Sequence, residues 1–176
     1  MANADSNTSA HTEMTTGQTI IAGGVAALLK MPLGAKDDLF HVLHVCRSWV
    51  DELIETDNHA EYIALGGRLL AGFKVLRVVL GQPLPQHLIE RLTVEEGQEG
   101  APGTAPETDS DMLCEYCAAL AQVLLGQQLA KDLQVQMADL LCEVFGLLEE
   151  NVKAPRFVRT KRGLAMLDGN IVQGIH

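Results

Sequence analysis

Residues 111–117 read DMLCEYC, and they place Cys114 and Cys117 three apart on one apparent helix. Upstream, FHVLHVC carries His41, His44 and Cys46, and Cys142 comes later. A structural zinc site needs about four such ligands converging tetrahedrally, usually as paired ligands on turn-rich knuckles. Here Cys114 and Cys117 sit on an apolar helical stripe. Cys46 points into the apolar face of its own segment, and Cys142 lies far from the centre of its helix's leucine row. His41 and His44 point outward. These residues are not expected to converge, so they are read as ordinary core and surface positions, with no metal and no cofactor. Free cysteine packs as a small buried hydrophobe. A redox Cys-x-x-Cys belongs at a helix start after a βαβ pattern, and none precedes Cys114.

His41 and His44 share a polar stripe with Asp37, Asp51 and Glu55. That composition would suit a metal or a pH sensor, but a solvated face explains it more simply. The sequence has no metalloprotease His-Glu-x-x-His, no phosphate-binding loop with Lys-Ser/Thr, and no Gly-x-Ser-x-Gly. No nucleophile, base and oxyanion hole assemble, so no catalytic residue is assigned and enzymatic function is not expected.

The most distinctive short stretch is PRFVRTKRG. There Arg156, Arg159, Lys161 and Arg162 interleave with Phe157, a pattern suited to nucleic acid or to a protein carboxylate patch. From Lys153 onward the chain has five bases and one acid, a net +4 against −14 for the rest. A basic tail on an acidic body invites an internal contact or an acidic partner. Trp49, at the border of its helix's apolar face, is read either as a core edge or as an anchor for a partner helix.

The elements that would carry these residues are helical. Of 176 residues, 47% are apolar but only 4% aromatic, so Leu, Ala and Val must fill the core. Leu and Ala favour helix. In the segment from about Asp37 to Glu55, Leu39, Val42, Leu43, Cys46, Val50 and Leu53 share one face. A second helix is expected from about His59 to Leu80, with Asn58 and Glu61 fitting a capping pattern. Its main face is Tyr62, Leu65, Leu69, Phe73, Leu76 and Leu80. Its back, with Ala64, Gly67 and Ala71, is small enough to receive another helix. A third helix spans about Asp111 to Leu125. A fourth runs from about Gln127 to Val152, with Leu129, Leu133, Met137, Leu140, Val144 and Leu147 inward. Short helices are expected within residues 18–31 and at PQHLIERL.

The expected fold is therefore all-α: a bundle of about four main helices, arranged as two helical hairpins plus short helices. Residues 1–17 read as a disordered arm, 18–152 as one helical domain with a mobile acidic loop at about 93–110, and 153–176 as a basic tail. No stretch reaches the ~20 apolar residues of a membrane-spanning helix, and the start lacks the basic region of a signal peptide. The expectation is a cytoplasmic protein with no membrane contact. Net charge is −10, which disfavours nucleic-acid binding except through the tail.

Three functions fit, in descending order. The first is a small acidic protein-interaction module, an adaptor, chaperone-like factor or regulator, holding a protein partner on an apolar helical surface. Wide apolar arcs on the second and fourth helices also allow a homo-oligomer. The second is a nucleic-acid-associated regulator acting through the basic segment. The third is a metal- or thiol-dependent enzyme or sensor.

Overall fold

Asp38 begins the first long helix as an N-cap, its carboxylate accepting hydrogen bonds from the amides of Phe40 and His41. A cap of this kind satisfies backbone donors that have no partner inside the helix. A computed structural model describes residues 24–96, 109–126, 129–161 and 163–167. The arm at 1–17, most of the acidic loop, Arg162 and the end of the basic segment lie outside the described residues.

The elements in chain order are α1 (Gly24–Leu28), α2 (Leu39–Glu55), α3 (His59–Leu80), α4 (Gln86–Arg91), β1 (Thr93–Glu95), α5 (Ser110–Leu125), α6 (Lys131–Lys153), β2 (Phe157–Thr160) and β3 (Gly163–Met166). Asn58 caps α3 through the amides of Ala60 and Glu61. Glu61 accepts a hydrogen bond from the Thr56 hydroxyl.

α2, α3, α5 and α6 form the body. α3 lies between α2 and α5, and α6 packs on α5 and α2. α5 and α6 run antiparallel, because Ser110 at the start of one donates to Asn151 at the end of the other at 3.0 Å. The core is built from α2 (Val42, Leu43, Cys46, Trp49), α3 (Leu65, Leu69, Phe73, Leu76), α5 (Cys117, Ala121) and α6 (Leu141, Phe145, Leu148). Phe73 and Phe145 meet at its centre with ring centroids 5.8 Å apart.

Close helix approach occurs where side chains are absent, but not on the face expected. A Cβ on Gly72 would lie 2.9 Å from Cys46 Sγ and 2.9 Å from the Trp49 ring, and one on Gly66 would lie 2.9 Å from Leu125. Gly67 and Ala71, expected to receive a neighbouring helix, are exposed. The close approach is made by the glycines that border the α2 and α5 contacts, and the small-residue back stays in water.

The fold is mostly helical, as expected, and adds three short strands among the described residues that the all-α expectation did not include. Their order is β1-β2-β3, with β1 parallel to β2 and β2 antiparallel to β3. The register pairs Glu95 with Arg159 and Phe157 with Met166. The amides of Arg156 and Phe157 both donate to Leu92 O, tying the chain after α6 to the end of α4. Phe157 and Leu92 are buried where the two segments meet. Gly163, with φ of +116°, closes the β2–β3 turn in a conformation that other residues rarely adopt.

Candidate docking face

The inward row of α6 is Ala138, Leu141, Phe145, Leu148 and Val152. It is not the row expected from the leucines. Phe145 packs on Phe73, and the Arg47 guanidinium lies 4.8 Å above the Phe145 ring. Arg47 reaches across from α2 to Glu149 at 2.6 Å and to the Cys142 sulfur at 3.5 Å. Gly146 lies beside it, where a Cβ would stand in ordinary contact at 3.7 Å from the guanidinium. These contacts turn the Cys142 and Glu149 flank of α6 toward α2. Burial alone would raise the Glu149 pKa. Hydrogen bonds from Lys153 and Arg47, with their positive charges, outweigh it and hold the carboxyl below its ordinary value.

α5 is oriented just as firmly. Cys114 donates to Phe73 O of α3, and Glu115 pairs with Arg77 of α3 at 2.7 Å. That flank therefore faces α3. With helix residues ~100° apart, the opposite flank of α5 and the opposite flank of α6 meet at the α5–α6 seam and look outward.

What they present to solvent is apolar. On α5 the row is Met112, Tyr116, Leu120 and Val123; on α6 it is Leu133, Met137, Leu140, Val144 and Leu147. Leu120, Met137 and Val144 are half-buried against the core and form a floor. Met112, Tyr116, Val123, Leu133, Leu140 and Leu147 are exposed, with Leu147 at 55% and Tyr116 at 50%. These six are most of the ten exposed large apolar side chains among the described residues, so the apolar surface is concentrated and not scattered.

Charge borders this strip. Asp132, Asp139, Glu143 and Glu150 are all exposed and follow the outer edge of the α6 row at spacings of seven, four and seven. Residues 110–153 carry seven acids and two bases. The two bases, Lys131 and Lys153, stand at the ends of α6, and Lys153 pairs with Glu149.

The residues singled out from the sequence fare differently. Trp49 is 1% exposed and its indole N–H donates to Leu28 O at 2.9 Å, so it fastens α1 to α2. Arg68 covers its ring at 4.8 Å and donates to Met31 O. Trp49 is a core residue, with no ring surface left to anchor a partner helix. Phe157 is likewise buried, so its ring is not available to stack on a base. Arg156 is half-buried, Arg159 is exposed and pairs with Glu95 at 3.2 Å, Lys161 is exposed, and Arg162 is outside the described residues. Part of the basic segment thus forms the central strand of the small sheet.

Three of the cysteines come closer together than expected. Cys46, Cys114 and Cys117 are buried in the core, near enough that a charge on Cys114 would disfavour ionisation of Cys46 and of Cys117. Burial is the larger cause: it pushes the Cys46 thiol up to about 12 and the Cys114 thiol to about 11, and it raises Cys117 too. They are protonated packing groups at neutral pH. Among the described residues no cluster of His, Cys, Asp or Glu is arranged to hold a metal ion. His41 and His44 are exposed, as their stripe implied.

A cleft of about 350 Å³ lies where the α2–α3 turn meets the start of α6, lined by Thr56, His59, Tyr62, Gln134 and Asp139 among others. Within it the Thr56 hydroxyl is tied to the Glu61 carboxylate at 3.1 Å, next to the Asn58 cap of α3. No helix among the described residues is long and apolar enough to cross a membrane. No protein-family model, curated protein or solved structure matches this chain.

The exposed strip was legible only in part: the α6 row was expected in the core, although the wide apolar arc of that helix already allowed self-association. The available signal was an excess: α6 has two apolar rows, and one antiparallel bundle buries only one of them.

Proposed function

We propose that this chain is a protein-interaction module, an adaptor, chaperone-like factor or regulator, that holds a partner on the outer face of α5 and α6. The observation that carries this is the continuity of the exposed apolar strip across two packed helices. A floor of half-buried Leu120, Met137 and Val144 between exposed walls is the shape into which an amphipathic element lays its apolar side. The strip stands on long helices anchored by ion pairs and core packing, so it is largely pre-formed and little ordering opposes binding.

The basic segment supports a nucleic-acid role less well. Arg159 is paired across the strands and Phe157 is buried, which removes a cation and a stacking ring from the expected constellation.

The test is site-specific photo-crosslinking in the native host, with the reactive side chain at Tyr116, at Leu140 and, as a control, at exposed Val78. Protein adducts at 116 and 140 but not at 78 are expected. Adduct mass separates a second copy of the chain from another protein. No protein adduct at 116 or 140, or equal capture at 78, would remove the face from consideration.

A further inference from the structure

The α5–α6 strip is apolar along its middle and acidic along its α6 edge. Asp132, Asp139, Glu143 and Glu150 form that edge, all exposed. They track Leu133, Leu140 and Leu147 in sequence, so the acids and the leucines run as parallel rows. The other edge carries Asp111 and Glu115, of which Glu115 is already paired with Arg77.

Three kinds of occupant are conceivable, and charge discriminates between them. A segment of the chain itself would have to come from residues outside the described ones. Residues 1–23, 97–108 and 168–176 contain no Lys or Arg. They bring no Lys or Arg side chain to set against the acidic row. A second copy would bring the same face, because a two-fold interface is self-complementary. Pairing the α6 edges across such an axis sets the row Asp132, Asp139, Glu143 and Glu150 against its own copy, with Lys131 and Lys153 confined to the helix ends. Like charges face to face oppose association.

We infer that the strip receives a basic amphipathic helix from a different protein. This rests on the face being the docking surface, and it names the chemistry of what docks. The partner's apolar residues, spaced i, i+3, i+4 and i+7, fill the seam over Leu120, Met137 and Val144. Its Lys and Arg flank that stripe and lie over Asp139, Glu143 and Glu150. From Leu133 to Leu147 the strip is ~21 Å long at ~1.5 Å per residue, which accommodates about four turns of a partner helix.

The experiment uses the full-length chain and three labelled peptides of about 18 residues. One is an amphipathic Leu/Lys helix, the second its Leu/Glu counterpart, and the third a scrambled Leu/Lys peptide of the same composition. Fluorescence anisotropy is followed at two salt concentrations. Saturable binding of the Leu/Lys helix is expected, at least about tenfold tighter than either control. The double variant Leu140→Ser/Leu147→Ser, at exposed positions, loses about tenfold or more. The triple variant Asp139→Asn/Glu143→Gln/Glu150→Gln loses several-fold and most of the salt dependence. Circular dichroism checks that both variants remain folded.

Equal binding of the Leu/Glu helix overturns the basic partner and leaves the docking face standing. Equal binding of the scrambled peptide reduces the effect to net charge and also overturns it. Retained affinity in the Leu140/Leu147 variant moves the binding elsewhere and overturns both the inference and the face. Self-association that excludes the peptide and disappears in that variant assigns the strip to a second copy. If no peptide binds at all, the inference fails. The crosslinks at 116 and 140 then decide independently whether the face itself survives.

Discussion

The two flanks of α6 meet opposite surroundings. One faces α2 and holds the charged cluster of Arg47, Glu149 and Lys153 beside Phe145. The other faces outward and holds leucines in water. A simple rule, apolar inside and polar outside, would assign these flanks the other way round. Arg47 resolves the inner flank. Its guanidinium is partly removed from water, and it is compensated by a carboxylate, a sulfur and an aromatic face at once. Nothing within the described residues compensates the outer leucines. A buried charge with partners is a structural device, whereas an uncovered apolar row on a helix contributes little to the fold that holds it.

The sharpest way to break this comparison is alanine substitution along both rows. Leu141→Ala and Leu148→Ala, at fully buried positions, are expected to cost about 2–5 kcal/mol in urea unfolding. Leu140→Ala and Leu147→Ala are expected to stay within about 0.5 kcal/mol of wild type. A cost at Leu140 as large as that at Leu141 would mean that the outer row is buried in solution.

A smaller effect tests the ionic flank. Glu149→Gln is expected to destabilise by about 1–3 kcal/mol at neutral pH, because it weakens charge-assisted hydrogen bonds that are only partly solvated. The folded protein holds this carboxyl below its ordinary pKa, so its contribution is complete above the unfolded value of about 4.3. It is lost as pH falls through the folded value. Unfolding free energies of wild type and Glu149→Gln should therefore differ by a constant amount above about pH 5 and converge in stronger acid. A gap that widened on acidification would contradict the assignment.

The same inward and outward distinction recurs on α3, with a smaller expected effect. Gly72→Ala pushes a methyl against Cys46 and Trp49 and should destabilise by about 1–3 kcal/mol. Gly67→Ala meets nothing within 4 Å and should stabilise the helix by about 0.5–1 kcal/mol. Thermal melts of the two variants should move in opposite directions.

Much of the local structure was legible in residue order. Asn58 and the 3.6-residue period located α3, because a capping side chain and a helical repeat are both local signals. The six positions expected on the apolar face of α2 are all buried, since that helix has one apolar row and one clean polar row. The strands were not legible. β2 pairs with β1 across some sixty residues, and three- or four-residue strands show too little alternation to be told from loop. Trp49 was ambiguous for a related reason: a residue at the border of a helical face becomes core or surface according to whether something covers it, and α1 does.

α6 marks the boundary between the two kinds of information most clearly. Its sequence by itself determined that a helix forms there and that it carries apolar residues on two adjacent rows. Both rows have helical spacing, and the one richer in leucine was the natural choice for the core. Only the tertiary structure decided between them. Phe145 fits against Phe73, and Arg47 of α2 reaches Glu149 beside it, so the bundle closes on the Phe145 row and turns the leucines to the outside. Periodicity specifies which residues share a face of a helix. Which face is buried depends on the shape and charge of neighbours that are distant in the chain.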